Sequence, residues 1–452
     1  MLPLRDARVG DVTESCGVMT GFRARRIPLL THLPPGLATR LVRATTLAAC
    51  ASLVAGCGVV PGTTGGTGDG PVTVMTWAPE KTAATNKPGM PAMAKAYARW
   101  VNANGGINGR ELKVLTCNDH NETVTAAKCA RRAADANVVA VVGSYSQHGR
   151  SYLAPLESAG IPYIGGYGVT DDEFASALSY PVNGGQAALM AGLGEQLAKA
   201  CGPVALVRPD SIAGDQLPLL LDSGLRSGGH KGSEDQLAAE DATEYGGHAR
   251  EALRRAAADP AARGCVVPAL GDRTFTFMDS FRRDRADYPS VRTGTVLGSV
   301  DQTVIDATGG RSGPYEGAYV TGWYPVETDK RWERMKRVIR EHAFDDNRID
   351  PADPGVQTTW IAYTVLRTVL EKIGDGEVTA QTVRHVLDDG LEVGTGGLTP
   401  PLRWRFEDLI ASAGFPRLVN PDVTFQVVRK GRLVAARQDF VNVEKTLVEA
   451  EG

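Results

Sequence analysis

The sequence predicts an α/β protein of two similar lobes built on parallel sheets, with the chain crossing between them more than once. Three observations carry this. Short apolar runs alternate with helix-period segments from Pro71 to Ala435, the rhythm of a parallel α/β sheet. Residues 138–142 (VVAVV) are continuously apolar, which suits a strand covered on both faces. The same alternation starts again after Gln186, so a second set of strands and helices follows the first.

The chain opens with a segment set apart from that fold. Arg40 and Arg43 precede an apolar run over residues 44–55. The run is far shorter than the roughly 20 residues that span a bilayer, and positive flank, short run and small residues make a secretory signal. It ends in Leu53-Val54-Ala55-Gly56-Cys57, which resembles a bacterial lipobox. That resemblance implies that Cys57 is diacylated and becomes the mature N-terminus, with residues 1–57 as leader. Residues 58–70 (GVVPGTTGGTGDG) then read as a flexible linker. Residues before about 37 lie upstream of the signal, and Met19 is one candidate for the true start. The whole chain has 452 residues, 42% of them hydrophobic, with a formal net charge of -3, enough for two or three domain-sized units. No basic tract with interleaved aromatics points to nucleic acid.

In order, residues 71–77 (PVTVMTW) form a β-branched strand. Pro88 and Pro91 open a helix, where a missing N–H costs little, and Met93, Tyr97, Trp100 and Val101 follow its period. Gly105-Gly106 ends it, Asn108-Gly109 marks a tight turn, and residues 111–116 alternate as a strand. Helix 122–136, strand 138–142, helix 150–159 and strand 161–164 follow. The second set has helix 186–199, strand 204–207, a helix near Leu217, helix 245–257, and strands 266–270 and 295–297. Residues 317–323 (GAYVTGW) are strand-like and a candidate for the return to the first lobe. Helices over 329–342, 356–373 and 380–388 come next, then a hairpin of 424–428 with 432–435 through Lys430-Gly431.

Cysteine usage agrees with export. Cys16 and Cys50 fall in the leader and Cys57 is the lipidation candidate, leaving Cys117, Cys129, Cys201 and Cys265. An even number suits an oxidising compartment. Four cysteines allow three pairings that sequence alone does not separate. Cys117–Cys129 would join a strand end to the next helix, and Cys201–Cys265 both precede apolar runs that neighbouring strands bring to one edge. No CxxC or HxxxH spacing supports zinc, and no cofactor or metal site is expected.

At this point the residues resemble the type I periplasmic binding proteins of the branched-chain amino-acid class, the lipoprotein receptors of ABC importers. The likeness rests on NANGGINGR (102–110), ELKVL, VVAVVG with its Ser-containing loop, and AGIPYI. It extends through GAYVTGWYP and WIAYTVLRTVLEKIG. It implies two Rossmann-like lobes joined by three crossovers that close on a ligand without chemistry. The corresponding division is lobe one over 71–183 and 321–400, and lobe two over 184–320 and 401–452. Ligands of open α/β sheets lie at the carboxyl ends of the strands. By position the candidates are Trp77, Ser144, Tyr145, Ser146, Gln147, Gly166, Tyr167, Asp272, Asp301 and Trp323. The resemblance gives Ser144, Ser146 and Gln147 the task of holding a carboxylate. Ser146 reads equally as a helix cap. Tyr145, Tyr167, Trp77 and Trp323 are candidate aromatic walls, and Asp272 and Asp301 candidate partners for a ligand amine. In the loop Gly165-Gly166-Tyr167-Gly168, and with Ala213 before Gly214, the chain departs from the family's amino-acid grip.

The implied function is capture of a small polar or amphipathic, amino-acid-like molecule, handed to ABC permease subunits. The receptor is expected to be a monomer tethered by its lipid to the outer face of the cell membrane. A ligand sensor on the same fold, not coupled to import, is the alternative. An extracytoplasmic hydrolase is the third reading: Ser146-x-His148 hints at it, but no GxSxG elbow, P-loop or GxGxxG occurs.

Overall fold

The computed structural model describes residues 70–450 except 84, 240, 241 and 413. The expected signal and Cys57 lie outside the described residues. The first elements are β1 (Val72–Trp77), α1 (Gly89–Ala103), β2 (Leu112–Cys117), α2 (Thr123–Asp135), β3 (Val141–Val142), α3 (Gly149–Ala159), β4 (Tyr163–Ile164), the short α4 (Asp172–Ala175) and β5 (Ser179–Tyr180). Their strands make one parallel sheet in the order β2-β1-β3-β4-β5. Pro88 stands just before α1, which buries Met93, Tyr97 and Val101. Gly105 and Gly106, at φ 88° and 78°, turn the chain out of it. The apolar run 138–142 is fully buried as a covered strand requires. Only its end is regular strand, although Val139 N–H donates to Thr73 O (2.9 Å) and Met75 N–H to Ala140 O (3.2 Å).

The second group is α5 (Gly185–Ala198), β6 (Val204–Pro209), α6 (Gln216–Ser227), β7 (Glu234–Ala238), α7 (Gly246–Ala256), β8 (Cys265–Pro268), α8 (Thr274–Asp284), β9 (Arg292–Val296), α9 (Gln302–Ala307) and β10 (Tyr319–Gly322). The chain then returns to the first lobe with α10 (Glu333–His342), α11 (Pro354–Ile373) and α12 (Ala380–Asp388). One core joins Val74, Tyr97, Val142 and Ile164 to Trp332, Trp360, Ile361 and Leu366 of that returning stretch. Finally β11 (Asp422–Arg429), β12 (Arg432–Ala435), β13 (Val441–Asn442) and α13 (Glu444–Glu449) rejoin the second lobe. The second sheet runs β12-β11-β10-β9-β8-β6-β7, with β13 on β11. It is parallel from β6 to β10 and antiparallel at β11 and β12. The hairpin turn uses Lys430 and Gly431 at φ 55° and 71°.

The chain therefore passes three times between the sheets: after β5, after β10 and before β11. Residues 317–323 are corrected by this. β10 does not return to the first lobe but lies inside the second sheet between β9 and β11, and the return begins at Trp323. Cys117–Cys129 and Cys201–Cys265 are both disulfide-bonded, each at a Cα separation of 5.8 Å. The first ties β2 to α2; the second ties the end of α5 to the start of β8.

Candidate functional site

Two of the cavities among the described residues are near the crossovers. The larger, about 260 Å³, is lined by hinge-side residues including Pro325, Val326, Gln357, Gln426 and Leu433. The smaller, about 170 Å³, is lined from Thr85 and Lys87 after β1, Tyr145 and Gln147 after β3, and Tyr167 to Val169 after β4. Opposite these stand Gln186 and Leu189 of α5, Gly271 after β8, residues 296–299 at the end of β9 and just past it, and Trp323 after β10. It thus sits at the carboxyl ends of strands from both sheets, where α/β proteins bind ligands. It is the candidate site.

Its wall is aromatic. Tyr145 meets Tyr167 edge-on at 5.1 Å between ring centroids, and Tyr167 meets Trp323 at 5.2 Å in the same manner. Such T-shaped contacts hold the rings beyond the effect of burial alone. Two of the rings, and the backbone of the third residue, are anchored. Gln147 Nε2 donates to the Tyr145 hydroxyl (3.2 Å), Tyr167 N–H to Ser144 O (3.0 Å), and Trp323 Nε1 to Gly185 O (2.9 Å). Gly165 at φ +62° permits the approach, because a Cβ there would collide with Ala362 of α11.

Lys87 was not foreseen, since its position reads only as the residue before a helix. The structure buries it to 9% exposure, with its ammonium 5.4 Å from the Tyr167 ring centroid and 3.4 Å from Asp353 Oδ1. Burial works against its charge, yet Asp353, with Asp301 adding to it, holds the ammonium above the usual lysine range. Burial also keeps the Tyr167 phenol protonated, with its titration moved upward.

Tyr145, Gln147, Tyr167 and Trp323 line the cavity, and the other sequence candidates lie elsewhere. Trp77 is fully buried in the core against Tyr152 (5.4 Å) and Tyr163 (6.1 Å). Ser144 faces inward, its Oγ accepting from Trp77 N–H at 3.1 Å. Ser146 is buried, accepts from His148 N–H (3.3 Å) and hydrogen-bonds Asp119, whose carboxyl burial pushes up. It does not cap α3, and no hydrogen bond joins its hydroxyl to the His148 ring, whose Nδ1 meets Thr123 Oγ1 at 3.2 Å. Gly166 is a packing position where a Cβ would strike the Glu173 carboxylate and the Tyr163 ring. Asp301 caps α9, accepting from Val304 N–H at 2.8 Å, and burial raises its carboxyl. Asp272 belongs to the 3₁₀ turn Gly271–Arg273, and its side chain lies outside the described residues.

A second residue was also missed. The loop after β4 turns three backbone N–H groups, of Gly168, Val169 and Thr170, onto the carboxylate of Glu173 at 3.0–3.2 Å. Glu173 is 2% exposed; its burial raises the carboxyl to about 7 against those donors. These three donors are thus directed to an internal anion and not to a ligand.

Comparisons with known proteins bear on the fold and the family. A family model described as periplasmic binding protein matches residues 81–407. No curated protein matches the chain. Among solved structures, a substrate-binding periplasmic protein from Ralstonia solanacearum is 17% identical, with 80% of this chain and 99% of that one covered and a TM-score of 0.64. A branched-chain amino acid ABC transporter protein from Thermus thermophilus with bound valine is 14% identical, covering 83% and 98%, TM-score 0.64. A solute-binding protein of an ABC transporter from Rhodopseudomonas palustris in complex with 3,4-dihydroxybenzoic acid is 13% identical, covering 83% and 98%, TM-score 0.64. At these identities the likeness is one of fold.

Proposed function

We propose that this chain, which belongs to the periplasmic binding protein family, is the extracytoplasmic receptor of an ABC importer. It captures a small polar or amphipathic molecule in the cleft between its lobes and presents the closed form to a permease. The observation that supports this is the shared lining of the 170 Å³ cavity. Tyr145, Gln147 and Tyr167 come from one sheet, and Gly271, Gly298 and Ser299 from the other. A ligand touching both sets gains contacts only when the lobes are together, so binding shifts the lobes toward closure. Ser146, the nucleophile of the hydrolase reading, is buried and does not line the cavity, which favours binding over turnover. Cys57 as a diacylated anchor, with the Gly-rich segment as tether, is the proposed link to the membrane surface. No helix among the described residues is long and apolar enough to cross a membrane.

The test is a thermal-shift panel of amino acids, amides, aromatic and aliphatic acids, polyamines and sugars. A true ligand at 100 times its Kd stabilises by about 2.7 kcal/mol. Tyr167→Ala should remove the shift while keeping the circular dichroism spectrum. A panel in which no compound of any class shifts the transition, or a shift that survives Tyr167→Ala, removes this reading.

A further inference from the structure

We propose that the ligand of this cleft is a small organic carboxylate with an apolar body and no α-ammonium group, its anionic end held by Lys87. This rests on the receptor reading above and names the ligand class for the same cavity.

Lys87 is the first ground. Among the described lining residues it carries the only charge. An ammonium has three donors. The polar partner described for it is the Asp353 carboxylate, at 3.4 and 3.5 Å, longer than a well-made charged hydrogen bond of about 2.7–2.9 Å. Asp353 is itself engaged, its Oδ1 accepting from Gly355 N–H at 2.6 Å at the start of α11. A nine-tenths buried cation with donor capacity to spare therefore borders the cleft. A ligand carboxylate would complete it at the place where burial makes such a bond strongest.

The second ground is how the nearby acids are used. An amino acid needs an acceptor for its ammonium as well as a donor for its carboxylate. Asp301 caps α9, Asp350 accepts from the Thr303 hydroxyl at 2.5 Å, and Glu173 is enclosed by its own loop. None of the three lines the cavity. An ammonium brought in here would be buried beside Lys87 with no carboxylate in the lining to partner it, which is costly.

The rest of the lining fixes the body of the molecule. Leu189, Val296 and Leu297 face the rings of Tyr145, Tyr167 and Trp323 across about 170 Å³. An apolar cavity of about 150 Å³ holds benzene, so one ring or one short branched chain fits.

The experiment is calorimetric titration of the intact mature protein with two matched pairs, benzoate against benzamide and 4-methylpentanoate against leucine. Each acid is expected to bind at least about tenfold more tightly than its partner, about 1.4 kcal/mol. The variant Lys87→Met with Asp353→Asn removes both charges together, so neither is left buried alone. It should lower benzoate affinity at least about 30-fold, the low end for a buried charged pair, and bring benzoate and benzamide within about threefold of each other. The ligand pairs on the unaltered protein decide the matter even where the variant does not fold. Leucine binding more tightly than 4-methylpentanoate, or benzamide matching benzoate, overturns the carboxylate assignment and leaves the receptor reading standing. Failure of every compound in the wider panel removes both.

Discussion

Glu173 shows how much one side chain decides about this cleft. Its carboxylate collects the three N–H groups of the loop after β4, yet burial still raises it from an ordinary 4.5 to about 7. The unfolded chain binds this proton only near 4.5, whereas the folded protein binds it from about 7 downward. The folded state thus holds the extra proton between those values, so stability rises as pH falls through about 7 and levels off near 4.5. At 1.36 kcal/mol per unit the gain is at most about 3 kcal/mol. Urea unfolding from about pH 8 to about pH 5.5 should show it, and Glu173→Gln should flatten that slope while costing about 1–3 kcal/mol for the weakened N–H contacts. An unchanged slope in Glu173→Gln would assign the effect to another group. The same scale explains what the sequence could and could not disclose. After β3 the side chains alternate: Ser144 and Ser146 are buried inward, while Tyr145 and Gln147 reach the cavity. The loop was legible as a site, but the phase of the alternation was not, since it depends on where the strand leaves the sheet. Lys87 gave no signal, because its meaning comes from Asp353, 266 residues later.

Elements with a strong period were readable and those with a mixed one were not. α1, α11 and α12 follow their apolar spacing. α8 (TFTFMDSFRRD) mixes β-branched and aromatic residues of weak helix preference, and it is helical because Phe277, Met278 and Phe281 share a buried face. β7 (EDQLA) is an edge strand whose exposed polar residues hide it. Disulfides fasten elements of each lobe, and their loops differ: the sequence separations are 12 and 64. Restricting the unfolded chain scales with the logarithm of loop length, giving about 3 kcal/mol for the short loop and about 4 kcal/mol for the long one. Replacing Cys201 and Cys265 together by alanine should therefore lower the urea midpoint more than replacing Cys117 and Cys129. The reverse order would mean that native-state packing around Cys129, rather than chain entropy, dominates.

Across the whole molecule, the cavity is coupled to the crossovers through Asn183. Its Oδ1 accepts from Gly185 N–H (2.9 Å), and its Nδ2 donates to the Tyr324 hydroxyl (3.1 Å) and to Tyr167 O (3.4 Å). Tyr324 lies on the second crossover and shares a hydrogen bond with Thr358 of α11 at 2.9 Å. The third crossover joins the first where Asn420 Nδ2 donates to Val182 O (3.0 Å) and Trp404 Nε1 to Pro181 O (2.8 Å). Trp323, on the cavity wall, holds Gly185 O. One buried amide therefore touches the first crossover, the second crossover and the backbone of the cavity's central tyrosine. In the closure proposed above, a turn at one crossover is expected to strain these bonds at the others. Asn183→Ala should cost about 1–3 kcal/mol by leaving buried donors and acceptors without partners. Its more specific consequence is spatial. Amide hydrogen exchange should quicken together in residues 165–169 and 322–326, segments far apart in sequence, and stay unchanged in α2. Faster exchange in only one of the two segments would show that the crossovers move independently, and Asn183 would then be an ordinary buried amide.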